Sequence, residues 1–336
     1  MKPALLLQYI RNPLPEQEHY GFVLHSNKTE IINKIGDSNN ELFWLRSCMK
    51  PLQASLLVDF DLINHFSLSS AEIAVCCASH AGDDEHIDVI SNLLKKIGMK
   101  EDDLKCPAIS GEWRVESGKL GQKNNSPLFT LHSPLSRKLY HNCSGKHTLM
   151  LMACLKQGWS IADYDEVTHE LQKIIVKKIA QLGEYTGEMP VSKDGCGLPV
   201  CAMPLRNINT AYLNLFLDAK YAVIKNAFIE HPYLIGGAQR LDSEIMNASS
   251  SDCLIAKVGA CGLCAVVNLK KEEAVIVKIS DANMSARSIV TIEALKHRGW
   301  LTDDEINAAP LKNLYDTVLK TSHGETIGFI ELKVES

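Results

Sequence analysis

The chain has 336 residues, 46% of them hydrophobic and 22% charged, with a net charge of −5. These proportions fit an ordinary globular protein of one large or two ordinary domains, and no basic run is long enough to point to nucleic acid or an anionic membrane. No apolar run approaches the ~18 residues of a transmembrane helix, and the start, Met1-Lys2-Pro3-Ala4-Leu5-Leu6-Leu7, lacks a small-residue cleavage site and reads as a first strand.

Leu5 to Ile10 and Tyr20 to Ser26 are short β-rich runs separated by Asn12-Pro13-Leu14-Pro15. A third run surrounds Ile31-Ile32, and residues 36–40 are a turn. A helix is expected to open at Ser47. Pro51 suits its first turn, and Leu52, Ala54, Leu56 and Leu57 predict burial on at least one side. Ser69 and Glu72 have capping-box spacing and start a helix through Ile73 to Cys76. It runs out into Cys77-Ala78-Ser79-His80-Ala81-Gly82, the pattern of a helix ending at a cleft. Asp83 and Asp84 open another, with Ile87, Ile90, Leu94 and Ile97 on one face and Gly98 as its stop.

Residues 101–135 are irregular and polar, and Gly118, Gly121 and Asn124-Asn125 point to an exposed excursion. An apolar stretch, Leu149 to Leu155, follows residues 141–147, and Val167, Leu171, Ile174, Ile175, Ile179 and Leu182 recur at helical spacing. Val191 to Leu198 is a glycine-punctuated loop, and Leu213 to Ala227 and Leu241 to Met246 are helical. The pattern returns to strands at Leu254 to Gly259, Leu263 to Val267 and Ala274 to Ile279. A helix over 285–298, a short one capped by Thr302 and a last strand, Thr326 to Val334, complete the chain. Strands at both ends and helices between them predict an α+β fold. Its antiparallel sheet comes from the N- and C-terminal strands, packed with a mostly helical middle (about 45–250), all in a single domain, 1–336, without linker or repeat.

Four constellations could carry chemistry. Ser47 and Lys50 lie three residues apart, so one helical turn stacks a hydroxyl beside an amine. A buried lysine loses its charge more readily, and a neutral amine can take a serine proton. Lys257, on a strand followed by a turn and a second strand, could line a cleft edge, with Gly259 letting a substrate approach the backbone. Ser79-His80 is either a helix-terminal cap or a second hydroxyl in the cleft, paired with Lys257. Cys143 and His147, at i and i+4, could share a soft divalent ion such as zinc with the distant Cys196; the alternative is unrelated polar residues in two loops. The 11 cysteines are odd in number and not framed for disulfides, which with no export signal points to reduced thiols in a cytoplasm. Cys76, Cys77, Cys154 and Cys264 lie in apolar runs as core residues, and His25, His86, His169 and His231 read as surface or structural.

Five blocks occur in order: Arg-Ser-Cys-Met-Lys-Pro-Leu-Gln at 46–53, Cys-Ala-Ser-His-Ala-Gly at 77–82, His-Asn-Cys-Ser-Gly-Lys-His at 141–147, Asp-Gly-Cys-Gly-Leu-Pro at 194–199 and Lys-Val-Gly-Ala-Cys-Gly at 257–262. Together they resemble the Rhizobium etli-type (class 3) L-asparaginases. The first and last blocks also resemble serine-dependent glutaminases, which share the penicillin-recognising serine β-lactamase fold. The resemblance implies that fold and hydrolysis of L-asparagine to L-aspartate and ammonia. It implies two tandems facing one pocket, Ser47 with Lys50 and Ser79 with Lys257. It further implies zinc on Cys143, Lys146 and Cys196, with Lys146 where spacing alone picks His147, and a homodimer. Asp194 would stand beside the metal or its water, and Arg46, His80 and Asp194 are read as substrate-binding. Departures are Ala81-Gly82-Asp83-Asp84, where relatives carry Ser-Gly-Glu-Pro, and Cys261, where an acid is usual. Glutaminase is the nearest alternative, since one methylene in a pocket is worth only ~1–3 kcal/mol. A penicillin-recognising hydrolase and a non-catalytic zinc protein are the others.

Overall fold

The apolar runs at both ends of the chain meet in one sheet. The computed structural model describes residues 2–38, 40–109, 137–249 and 253–334; the expected excursion at Gly118, Gly121 and Asn124-Asn125 lies outside them. In chain order the strands are β1 (Ala4–Arg11), β2 (Leu14–Ser26), β3 (Ile31–Ile35), β4 (Leu42–Trp44), β5 (Val191–Lys193), β6 (Pro199–Pro204), β7 (Leu254–Gly259), β8 (Leu263–Asn268), β9 (Glu273–Ile279), β10 (Val318–Lys320) and β11 (Thr326–Leu332). Among the described residues eight of them form one sheet, in the order β10-β11-β1-β2-β9-β8-β7, with β3 also paired to β2. Every pairing in it is antiparallel. The α+β architecture is therefore the one the sequence predicts.

Every residue of β8 is buried, so both faces of the sheet are covered at its centre. Helices Leu205–Leu217 and Met284–His297 both pack on β8 and β9. Asn209, on the first of them, is buried and donates to the carbonyls of Leu24 (3.2 Å) and Ala274 (3.1 Å), tying helix to strands. The helix expected over Leu213 to Ala227 is two helices, Leu205–Leu217 and Ala222–Glu230, broken at Asp218, whose backbone is extended and whose side chain caps the next turn. The glycine-punctuated loop at Val191 to Leu198 starts as β5, part of a small sheet ordered β4-β6-β5.

The site is carried by short pieces. From Ser47 the backbone runs through a 3-10 turn, Arg46–Met49, into three helices of four or five residues, Lys50–Gln53, Leu56–Asp59 and Leu62–Phe66. Left-handed residues at Asp61 and Ser67 (φ 52° each) close off the last of them, so no long helix follows Ser47. The capping box on Ser70–Cys77 forms as predicted: the Ser69 hydroxyl accepts from the Glu72 N–H, and Glu72 accepts from the Ser69 N–H at 2.7 Å.

Helix Ser144–Gln157 crosses Ser70–Cys77 at Gly145, where a Cβ would lie only 2.1 Å from the Val75 carbonyl oxygen. That contact sets the depth of the loop carrying Cys143 and Lys146. Gly145→Ala is expected to cost about 1–3 kcal/mol by forcing the two helices apart. Urea unfolding measures this directly; an unchanged midpoint would mean the crossing yields freely.

Candidate active site

Ser47 follows Arg46, a non-glycine residue with left-handed backbone (φ 47°). Such a conformation costs about 1–2 kcal/mol and has to be held by its surroundings. Two bonds hold it: Arg46 Nε donates to Asp194 Oδ1 at 2.7 Å, and its Nη1 donates to Cys261 Sγ at 3.2 Å. Cys261, exposed and itself left-handed (φ 60°), thus takes an arginine contact where relatives would offer an acid. On the far side of the turn Cys48 Sγ donates to the Lys257 carbonyl at 3.3 Å, and Tyr212 donates to the Cys48 carbonyl at 2.7 Å. Gly259 packs closely here: a Cβ would lie 3.1 Å from both Cys48 Sγ and the Leu45 carbonyl oxygen, a tight contact. The turn is thereby clamped onto β7.

Ser47 and Ser79 line one cavity of about 690 Å³, together with Asn142, Gly259, Arg240 and Arg287. The Ser47 hydroxyl has no hydrogen-bond partner among the described residues. Ser79 is the second residue after helix Ser70–Cys77, and its N–H donates to the Ile235 carbonyl at 2.9 Å.

Lys50 is fully buried and its amine donates to Ser79 Oγ (2.9 Å) and to the carbonyls of Ala78 (2.6 Å) and Asn142 (2.9 Å). Burial pulls its pKa down to about 8; Cys143 opposes this, and the charges of Lys146 and Lys257 add to it. The structure therefore places the buried amine of Lys50 on Ser79. Lys257, expected to pair with Ser79, instead meets Asp242 Oδ2 at 2.5 Å, both side chains being fully buried. Asp242 also accepts from the Val258 N–H at 3.3 Å. Sequence reasoning missed Asp242. The available signal was an acid at the spacing of Leu241, Ile245 and Met246, on the apolar side of a helix.

His80 is buried and is not among the cavity-lining residues. Its Nε2 lies 2.9 Å from Ser144 Oγ, whose own proton goes to the Leu139 carbonyl. Burial holds its pKa well below the ordinary value, so the ring is neutral. Arg46 and Asp194, read from sequence as substrate-binding, pair with each other next to the cavity rather than on its lining.

Behind Lys50 sits a second charged group. Lys146 Nζ donates to Cys196 Sγ at 3.1 Å and lies 4.0 Å from Asp194 Oδ2. The Cys143 thiol is held well below its usual pKa by a hydrogen bond from Cys196, against burial and with help from Lys50 and Lys146. Cys196 is correspondingly pushed up. Burial works against the Lys146 charge, but Cys143, Cys196 and Asp194 prevail and raise its pKa.

The expected zinc ion on Cys143, Lys146 and Cys196 is corrected here. Among the described residues no group of three or more His, Cys, Asp or Glu side chains could hold a metal ion. The geometry offers two sulfurs, with Lys146 Nζ turned to Cys196 Sγ and the Asp194 carboxylate already engaged by Arg46. His147 has its Nδ1 2.8 Å from the Tyr164 hydroxyl, and burial keeps the ring neutral.

A family model described as L-asparaginase II matches residues 7–332. No curated protein matches the chain. Among solved structures, a β-lactamase from Mycobacterium bovis is 12% identical, covers 84% of this chain and 95% of its own, and superposes with a TM-score of 0.41. A protein put forward as a β-lactamase from Bacteroides dorei is 10% identical, with coverage of 81% and 92% and a TM-score of 0.42. Likenesses at that level carry no argument about chemistry.

Proposed function

The chain belongs to the L-asparaginase II family of amide-hydrolysing enzymes, and on that premise we propose that it converts L-asparagine to L-aspartate and ammonia, with Ser47 as nucleophile and Lys50 as base. The observation that supports this most directly is the 2.9 Å contact between Lys50 Nζ and Ser79 Oγ, with Ser79 sharing a cavity with Ser47. A neutral Lys50 keeps two N–H bonds, to the Ala78 and Asn142 carbonyls, and turns its lone pair to the Ser79 hydroxyl. This route requires the free Ser47 hydroxyl to turn to Ser79 across the shared cavity, so that Ser79 passes the Ser47 proton to the amine as Ser47 attacks the side-chain amide carbon. Backbone amides near Ser47 stabilise the oxyanion. The relay returns the proton to the departing ammonia, and water hydrolyses the acyl-enzyme. Lys257, bound to Asp242, fixes β7 and leaves the base role to Lys50. In this reading the chain is one amidohydrolase domain working as a cytoplasmic homodimer. Among the described residues no helix is long and apolar enough to cross a membrane.

The same 2.9 Å contact favours a second reading, in which Ser79 itself is acylated. A diazoketone analogue of asparagine separates the two, because mass spectrometry of the digested adduct locates the label on Ser47 or on Ser79. Ammonia release from L-asparagine and L-glutamine, measured side by side, tests the substrate; faster release from glutamine would move the assignment to glutaminase.

The base must be neutral to act, so activity is lost as pH falls through the Lys50 pKa of about 8. The expected profile of kcat/KM climbs about tenfold per pH unit below that value and levels above it. A flat profile between pH 6 and 9 would remove Lys50 from the base role.

A further inference from the structure

We propose that Arg287 binds the α-carboxylate of the amino-acid substrate and so selects amino-acid amides over simple amides; the inference rests on the L-asparagine reading above. Arg287 lies in the first turn of helix Met284–His297, is 8% exposed and lines the cavity that holds Ser47 and Ser79. Its Nη1 donates to the Gly259 carbonyl at 3.2 Å. Its Nε is buried without any hydrogen-bond partner, and no carboxylate pairs with it among the described residues. A buried cation is ordinarily paired. Two of the buried lysines obey that rule: Lys146 has Cys196 and Asp194, and Lys257 has Asp242. Lys50, with two carbonyls and a hydroxyl, is instead drawn toward its neutral form, a route closed to an arginine, so Arg287 borders the reaction cavity as a cation without a counter-charge.

An arginine in this state is a preformed receptor for an anion. The guanidinium presents a rigid planar fork that fits a carboxylate through two parallel bonds. Its anchor, Gly259, touches the Ser47 turn through Cys48 Sγ and the Leu45 carbonyl, so the carboxylate end is held in register with the nucleophile. Register of this kind decides whether the amide carbon meets the hydroxyl. Arg240 also lines the cavity, but it is partly exposed. Arg287 therefore carries the proposal.

The test compares L-asparagine with 3-aminopropanamide, the same side-chain amide without the α-carboxylate, in the wild type, Arg287→Met and Arg287→Lys. In Arg287→Met, kcat/KM for L-asparagine is expected to fall about 100-fold further than that for 3-aminopropanamide, chiefly through KM. Arg287→Lys keeps the charge but loses the fork, and is expected to fall about tenfold further. If Arg287→Met does not fold, Arg287→Lys carries the same comparison. Equal losses on both substrates would reduce Arg287 to a structural role and overturn the inference while the asparaginase reading stands. A wild type that hydrolyses neither amide overturns that reading, and this inference falls with it.

Discussion

Ser47→Ala is expected to lower kcat for L-asparagine by about 10⁴-fold or more, the scale seen when a nucleophile is removed from a covalent relay. The variant should fold normally, because the Ser47 hydroxyl lines the cavity and holds no other group in place. What positions the turn is elsewhere: the Arg46 contacts to Asp194 and Cys261, and the clamp of Cys48 on β7. Ser79→Ala breaks the bond to Lys50 and should cost about 10²–10³-fold, since water can enter the vacated space as a poorer relay. The order of the two losses is the informative result. A larger loss at Ser79 than at Ser47, together with label on Ser79, would exchange their roles and leave the Lys50 base in place. Thermal melting of both variants checks that the losses are chemical rather than structural.

Asp242→Asn is expected to destabilise the protein by about 3–5 kcal/mol, the usual cost of leaving a buried charge without its partner. Asparagine preserves the shape and can still accept from the Val258 N–H, so the loss isolates the missing charge beside Lys257. Urea unfolding at neutral pH gives the number, and a shift below about 1 kcal/mol would mean that Lys257 simply sheds its proton. Replacing both partners, Asp242→Leu with Lys257→Met, should recover most of the stability. The pH sense follows from the carboxylate. Burial works to raise the Asp242 pKa, but the charge and hydrogen bond of Lys257 prevail and hold it below the ordinary value. The contribution of the pair is therefore present above the unfolded carboxylate pKa of about 4 and lost in acid, as pH falls through the folded value.

The large sheet was legible because β1, β2, β7, β8, β9 and β11 are long enough to show their pattern of burial. The small sheet was not. β4 and β5 have three residues each, below the length at which alternation can be seen, and β6 begins and ends with proline. Left-handed Asp61 and Ser67 bound only the last of the short helices after Ser47, and serine is not a residue type that signals that conformation. In the site, Ser47, Lys50, Ser79 and Lys257 all stood out in the sequence, but their pairing did not. Which hydroxyl meets the Lys50 amine depends on where helix Ser70–Cys77 ends in space, and no local spacing encodes that. The metal expectation failed for a different reason. Residue spacing records that Cys143, Lys146 and Cys196 are present, whereas a site also needs a third His, Cys, Asp or Glu donor brought to them in space, and the described residues supply none.

The sheet joins the two ends of the chain, and this makes synthesis a waiting period. β2 cannot meet β9 until residues as far apart as His25 and Glu273, separated by 248 positions, have both been made. At translation rates of ~5–20 residues per second that interval is about 12–50 s. Throughout it the hairpin of β1 and β2 presents bare edges on both sides, since β11 and β9 complete it only later. Topology of this kind, dominated by contacts distant in sequence, also folds slowly once the chain is whole. The nascent hairpin is thus the segment most exposed to pairing with a neighbouring chain, and holdase chaperones on the ribosome should act first on residues 4–26.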